Sequence, residues 1–251
     1  MCASPRTRTR RHRLIVALDG PGSSGKSSVG AAAALRLGYR FTDTGLFYRA
    51  LTWLGMQRLI PLEDGPALAR IASHVNLAPD GNGRLDHVIV DGRDVTSEVR
   101  TPAVDARVSE VARLPEVRAA LLERQRSLAH DGGIIMAGRD IGTVVLPDAD
   151  LKLYLDASVE ERARRRAEQW RLGPGSAEAA AVLAELRRRD TLDSTRPVAP
   201  LRIPPDAVVL NTDGYRFEDT VDAVVSAIRA AERAQAETAQ AETAQAETAP
   251  G

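Results

Sequence analysis

The sequence predicts an α/β protein, a parallel sheet flanked by helices and interrupted by a smaller antiparallel unit. Three observations predict it. A short apolar strand, Leu14-Ile15-Val16-Ala17-Leu18-Asp19, runs into Gly20-Pro21-Gly22-Ser23-Ser24-Gly25-Lys26-Ser27 and then into an Ala-rich helix ending near Leu37. Strand and helix patterns then alternate, as a parallel sheet with right-handed crossovers requires. Between residues 75 and 100 the alternation gives way to short strand patterns punctuated by Asp80-Gly81-Asn82-Gly83 and Asp91-Gly92, the mark of consecutive hairpins.

The elements follow in order. Gly38 is placed to cap the first helix. Phe41-Thr42-Asp43 reads as a second strand, and a helix opens at Thr44-Gly45 and continues to about Leu59, before Pro61 and Pro66 break the pattern. Val75-Asn76-Leu77 and Leu85 to Val90 form the hairpins, which we read as an insertion. Thr101-Pro102 starts a helix, with Thr as N-cap and Pro in the first turn, and a second helix covers about Pro115 to Ala129. Ile134 to Ala137 is wholly apolar, as a central parallel strand is. Asp150 to Leu155 gives the next strand. Ser158 and Glu161 make a capping box at the head of a basic helix that ends at Gly173-Pro174-Gly175. Further patterns cover Ser176 to about Asp190 (helix), Ala207 to Leu210 (strand) and Phe217 to Arg233 (helix).

This gives a core of residues 13–60 and 130–233 with a helical lid at about 159–190, and an inserted unit at 61–129. Residues 1–12 read as a disordered basic leader and 234–251, which opens with three Ala-Gln-Ala-Glu-Thr repeats, as a low-complexity tail, disordered or a frayed, solvated helix. A net charge of +0 supplies no global field toward nucleic acid or an anionic membrane, so neither is expected as a partner. The single cysteine, Cys2, allows no internal disulfide, and no apolar run reaches the ~18–20 residues of a membrane span. The basic leader has no apolar run behind it and is not read as a secretory signal. A cytoplasmic monomer is the expectation.

Gly20 to Ser27 fits G-x-x-x-x-G-K-[ST], the P-loop, in the strand-to-helix setting it needs. Its glycines let successive backbone N–H groups turn inward onto phosphate oxygens, and the helix start adds unpaired donors and a positive dipole end. Gly20, Pro21, Gly22, Ser23, Ser24, Gly25, Lys26, Ser27 and Ser28 are therefore the candidate ATP-binding residues. Lys26 can span the β- and γ-phosphates, and the Ser27 hydroxyl can ligate Mg²⁺. Only two of the 34 basic residues, Lys26 and Lys152, are lysines, so a chain that writes its cations as Arg keeps a compact ammonium here.

A second anion is expected opposite. Thr42-Asp43-Thr44-Gly45-Leu46-Phe47-Tyr48-Arg49 sets hydroxyls and an acid at a strand end and Arg49 one helical turn on. Arg187 to Pro197 alternates cations with acids, and together with Arg162, Arg165 and Arg166 it makes a positive lid hinged at Gly173-Pro174-Gly175. Arg164, Arg171 and Arg187 read as solvated charges. The four histidines, His12, His74, His87 and His130, are scattered and receive no role.

The P-loop, Thr42-Asp43-Thr44-Gly45-Leu46-Phe47-Tyr48-Arg49, the run Gly138 to Asp150 and the run Arg188 to Leu201 together resemble the bacterial cytidylate kinase family, over about residues 14–230. The resemblance implies a P-loop NTPase-type sheet with an inserted nucleoside-monophosphate-binding domain, and transfer of the ATP γ-phosphate to CMP or dCMP with Mg²⁺. By position it implies that Thr44, Arg49 and Arg139 hold the CMP phosphate. Ser109, Arg118 and Asp140 would read the cytosine, Asp193 would contact the sugar, and Arg189 and Arg196 would meet phosphates. Lys26, Arg139, Arg162 and Arg189 are the expected catalytic cations. The chain departs from the family pattern at Ala137 and at Asn211, where acids are expected. Asp19 and Asp43 remain to hold the metal's water shell.

A thymidylate, shikimate or gluconate kinase is the alternative on the same fold. A regulatory GTPase is disfavoured because no Asn-Lys-x-Asp segment occurs. A binding module without activity sits poorly with Lys26 and Ser27 both in place.

Overall fold

The computed structural model describes residues 13–248, with side chains as far as residue 241. The expected leader, residues 1–12, lies outside the described residues. In chain order the first half holds β1 (Ile15–Asp19), α1 (Lys26–Leu37), β2 (Arg40–Asp43), α2 (Gly45–Gln57), α3 (Gly65–Arg70), β3 (Val75–Pro79), β4 (Arg84–Val90), β5 (Arg93–Asp94), α4 (Pro102–Ala112) and α5 (Pro115–Ser127). The second half holds β6 (Ile134–Gly138), β7 (Leu151–Asp156), α6 (Val159–Gln169), α7 (Ala177–Thr195), β8 (Val208–Asn211) and α8 (Phe217–Thr248).

One sheet runs in the order β3-β4-β2-β6-β1-β7-β8, with β5 paired to β4. From β2 to β8 every pairing is parallel. The period of two along β1 sends Val16 and Leu18 to one face and Ala17 to the other, and all three are fully buried. On the first face they meet Val29, Ala33 and Ala34 of α1 and Val221, Val224 and Ile228 of α8. On the second face Ala17 packs with Ile134, Met136, Ile141 and Val145. A sheet covered on both faces accounts for the wholly apolar β6. Gly30 permits the close approach of α1, because a Cβ there would lie 2.5 Å from the Phe41 ring. The register aligns Asp19 with Gly138 and Asp43 with Ala137, so these residues stand together at the carboxyl ends of adjacent strands. Open α/β sheets bind ligands at that edge.

The hairpins expected at 75–100 form as β3, β4 and β5, but not as a free-standing sheet. β4 lies parallel to β2 through Phe41 opposite Arg84 and Thr42 opposite Leu85, so the antiparallel unit extends the edge of the central sheet. Its core is continuous with α2: Leu46, Leu51 and Leu54 pack with Leu68, Val88, Val108, Val111, Val117 and Leu121.

Three boundaries differ from expectation. The segment at Pro61 and Pro66 contains α3, whose N-cap Asp64 accepts from the Ala67 N–H at 2.9 Å and whose Pro66 sits harmlessly in the first turn. α7 runs past Asp190 to Thr195, and Pro197 follows its end. The Ala-Gln-Ala-Glu-Thr repeats are helical rather than disordered up to Thr248, extending α8 beyond Arg233. Ala, Gln and Glu are strong helix formers, and no Gly or Pro interrupts them before Pro250.

Candidate active site

A cleft of about 860 Å³ opens at the carboxyl edge of the sheet. Gly22 to Ser28 form one wall. Gly20 and Pro21 lie outside the lining and shape the loop. Gly20 has φ +150°, and a Cβ on it would lie 2.1 Å from the Leu155 carbonyl oxygen of β7. Lys26 Nζ donates to the Pro21 carbonyl at 2.8 Å and lies 3.5 Å from Ser24 Oγ. Burial, and then the neighbouring Arg139 guanidinium, pull the Lys26 ammonium well below its usual range, with Asp43, Asp19 and Asp193 opposing. An anion in the cleft would relieve that cost, so the ammonium is held where it gains most from a polyphosphate.

The two acids that could hold a metal's water shell behave differently. Both oxygens of Asp19 are taken, by the Ile141 N–H at 2.8 Å and the Gly142 N–H at 2.7 Å, where the chain leaves β6 in a single π-turn, Ile141–Val145. Burial pushes the Asp19 carboxyl up to about 6 against those two hydrogen bonds. Asp43 lines the cleft instead, accepting from the Ser27 hydroxyl and, at 2.9 Å, from the Gly45 N–H. An oxygen pair of this kind suits a hard cation that keeps most of its waters and takes the rest of its ligands from phosphates. The residues therefore fit Mg²⁺ through Ser27 and Asp43, and Ala137 in β6 offers no side-chain ligand.

The facing wall is cationic, and each guanidinium is held by an acid. Arg139 donates to Asp193 at 2.8 Å and to the Gly20 carbonyl at 3.3 Å. Burial works against the Asp193 charge, but Arg139 outweighs it and holds the carboxyl below its usual range. Asp140 is gripped from both sides, by Arg118 of α5 and, at 3.0 Å, by Arg196. Arg118 also lies over the Tyr48 ring, 5.3 Å from its centroid, and Ser109 of α4 lines the cleft nearby. Thr44 Oγ1 donates to the Ala137 carbonyl at 3.1 Å, which fixes the start of α2 against β6. Arg49 of α2, Arg166 of α6 and Arg189 of α7 converge on Asp105 of α4. Burial, with help from Arg139, lowers the Arg189 guanidinium to about 10, so it stays charged at neutral pH.

Of the residues singled out from sequence, Thr44, Arg49, Ser109, Arg118, Arg139, Asp140, Arg189, Asp193 and Arg196 all line this cleft. Arg162 does not. Its guanidinium is buried, donating to the Ala157 and Gly22 carbonyls, both at 2.9 Å, and to Asp190 at 2.6 Å. It braces the P-loop through the Gly22 carbonyl. The helices α6 and α7 join through Ala163, Val182 and Leu186.

Several lining residues went unremarked in the sequence. Asp105 is an acid in the first turn of a helix, a common placement with no distinguishing signal. Trp170, Tyr215 and Phe217 are half-exposed aromatics at the mouth, with Arg166 4.6 Å above the Trp170 ring. Sparse aromatics at loop ends carry no periodicity that sequence could reveal. At Asn211 the side chain accepts from the Asp213 N–H at 2.8 Å and so shapes the turn leading to this mouth.

Comparison with known proteins gives the chain's family. The sequence profile of the family described as "Cytidylate kinase" matches residues 16–230. A protein named cytidylate kinase from Symbiobacterium thermophilum is 46% identical over 220 residues, covering 86% of this chain and 96% of that protein. A cytidylate kinase from Pelotomaculum thermopropionicum is 43% identical, covering 87% and 97%. A bifunctional pantoate ligase/cytidylate kinase from Synechococcus sp. is 41% identical over 90% of this chain but only 43% of its own length. With a P-loop facing an arginine-lined wall and a profile match across almost the whole described fold, the chain belongs to the cytidylate kinase family.

Proposed function

We propose that this protein transfers the γ-phosphoryl group of ATP to CMP or dCMP, giving ADP and the pyrimidine diphosphate. One observation carries the reading. The P-loop with Lys26 and the arginines Arg49, Arg139, Arg189 and Arg196 line one cleft, with Arg139 directly beside the P-loop, as a reaction between two polyanions demands.

The acceptor needs no general base. A phosphate monoester has a second pKa near 6, so CMP arrives largely as a dianion and is itself the nucleophile. The obstacles are mutual repulsion and alignment. Backbone N–H groups of Gly22 to Ser28 and the Lys26 ammonium hold the triphosphate. Arg49, Arg139 and Arg189, with Thr44 at the head of α2, hold the acceptor phosphate in line. Arg189 and Arg196 reach from the α7 side to neutralise charge that spreads over the equatorial oxygens. The Arg118–Asp140 pair and Ser109 meet the cytosine edge, with a donor and an acceptor fixed in one plane, and Asp193 faces the sugar. Ser27 and Asp43 would hold Mg²⁺, which would supply positive charge against the phosphates. The lid helices exclude water, which would otherwise take the phosphoryl group.

Residues 61–129 act in this reading as the acceptor-binding unit, with 13–60 and 130–233 as the kinase core. A cytoplasmic monomer acting on small molecules alone, with no nucleic-acid or membrane partner, completes the proposal. The test is an ADP-release assay with ATP and Mg²⁺ against CMP, dCMP, UMP, AMP, dTMP and shikimate. CMP and dCMP should turn over at least tenfold faster than the rest, at roughly 1–100 per second. Silence toward every pyrimidine monophosphate refutes the assignment.

A further inference from the structure

On Asp105, three guanidiniums from three different helices meet one carboxylate. Arg49 of α2 and Arg166 of α6 (3.1 Å) bind its two oxygens, and Arg189 of α7 stands 3.5 Å away. The α7–α4 contact is reinforced where Arg188 donates to the Ala106 carbonyl at 3.1 Å. With Arg139 and Asp193, which also face Arg189, the cluster sets four cations against two carboxylates and keeps surplus positive charge. Arg189 Nε is moreover buried and has no hydrogen-bond partner among the described residues. A buried donor left over in a surplus of positive charge is the signature of a site built for an anion bearing more charge and more acceptor oxygens than a carboxylate has.

Two of these arginines, Arg49 and Arg189, are the ones that the proposed reaction needs for the acceptor phosphate. A carboxylate and a phosphate dianion cannot share them. Both are anions competing for the same donors, and at contact distance they repel each other. We propose that Asp105 is an anionic placeholder: it holds Arg49, Arg166 and Arg189 together between turnovers, and the acceptor phosphate displaces it. The placeholder keeps like-charged arginines from splaying apart, and it ties the acceptor-binding unit to α6 and α7 until substrate arrives. Its cost is competition, since the carboxylate must be expelled each time a phosphate binds. This inference rests on the proposed acceptor site for its substrate, but inorganic phosphate probes it independently.

The test compares wild type with Asp105→Asn, which keeps the shape, removes the charge and leaves one acceptor oxygen where the carboxylate has two. If the carboxylate-bound state outweighs the open one by about three- to tenfold, the apparent affinity for the acceptor is reduced by about that factor. The variant should therefore lower KM for CMP, and the dissociation constant of inorganic phosphate measured by calorimetry, by about three- to tenfold. KM for ATP should change less than about twofold. Unchanged or weakened phosphate binding in a variant with wild-type melting temperature overturns the placeholder. Should Asp105→Asn fail to fold, a crystal structure of the wild-type protein with CMP decides. Asp105 should then lie more than about 4 Å from Arg49 and Arg189, and an intact Asp105–Arg49 pair beside a bound phosphate overturns the proposal. Wild type that binds phosphate yet ignores CMP would fault the acceptor assignment and leave the calorimetric comparison standing.

Discussion

The Ser27 hydroxyl donates a hydrogen bond to the Asp43 carboxylate, joining the first turn of α1 to the end of β2. The contact sets an oxygen pair beside the P-loop lysine, in a chain whose β6 ends in Ala137-Gly138 and supplies no acid. Divalent-cation binding should depend on Asp43. Asp43→Asn keeps the bond to the Gly45 N–H and removes the charge, so it should raise the Mg²⁺ concentration for half-maximal activity by about 10-fold or more. Asp19→Asn should leave that concentration nearly unchanged, because both Asp19 oxygens already serve backbone N–H groups. A Mg²⁺ titration of both variants at saturating ATP and CMP checks this, and the reverse ranking would move the cation to Asp19.

Arg189 separates chemistry from donor binding. It lines the cleft between Asp105 and Asp193 and remains charged despite burial. Arg189→Ala should lower kcat with CMP by about 10²–10³-fold, the loss typical of one group aimed at developing charge. ATP affinity by calorimetry should change less than about threefold. A parallel collapse of both would mean that the cleft itself had come apart, and melting temperature would show it.

The parts of this molecule legible in the sequence are those dictated by local geometry. The strand-turn-helix around Lys26 follows from glycine placement and apolar periodicity, and the alternation of elements follows from the sheet it builds. Arg49 and Arg189 could be singled out because a second anion needs cations near a P-loop, and Arg139 through the family resemblance of the Gly138-Arg139-Asp140 run. What stayed hidden depends on tertiary neighbours. Arg162 shares its basic helix with Arg166, yet one is buried against the Gly22 carbonyl while the other reaches Asp105, and only the direction of α6 decides which. Asp105 looks like any first-turn acid until three helices arrive around it. The joining of β4 to β2 rests on a two-residue register that no hydrophobic pattern announces.

Asp19 makes a prediction about pH. Its folded-state pKa, raised from 3.8 to about 6 by burial, means that the folded protein holds a proton which the unfolded chain has already released between those values. The associated stability is fully present below about pH 3.8 and is lost as pH rises through about 6. A rise of that size corresponds to roughly 3 kcal/mol between the two limits. Asp19→Asn should be less stable overall, by about 1–3 kcal/mol, since an amide oxygen cannot accept from both Ile141 and Gly142 as well as a carboxylate does. The difference between wild type and variant should nonetheless shrink as pH rises from about 4 to about 7. Denaturant melts across that range, with the Asp19 carboxyl carbon followed by NMR, test both parts. A carboxyl titrating near its ordinary value would remove the basis for the expected slope.

Gly20 tests how tightly the phosphate cradle depends on its neighbour strand. At φ +150° with the Leu155 carbonyl oxygen 2.1 Å from any Cβ, neither the conformation nor the space admits a methyl group. The clash is with backbone, so no side-chain rotation relieves it. The loop must shift away from β7, which moves the donors of Gly22 to Ser27 off the phosphates. Gly20→Ala should therefore cost about 3 kcal/mol or more in stability, combining backbone strain with overpacking. It should also weaken ATP binding by at least about 100-fold, because misplacement of the cradle by even about 1 Å is felt at the reacting atoms. Gly81→Ala is the control: a Cβ there meets nothing within 4 Å, and stability and ATP binding should both stay close to wild type. Calorimetric ATP titrations and thermal melts of the two variants, run side by side, distinguish a cradle locked against β7 from one that can yield.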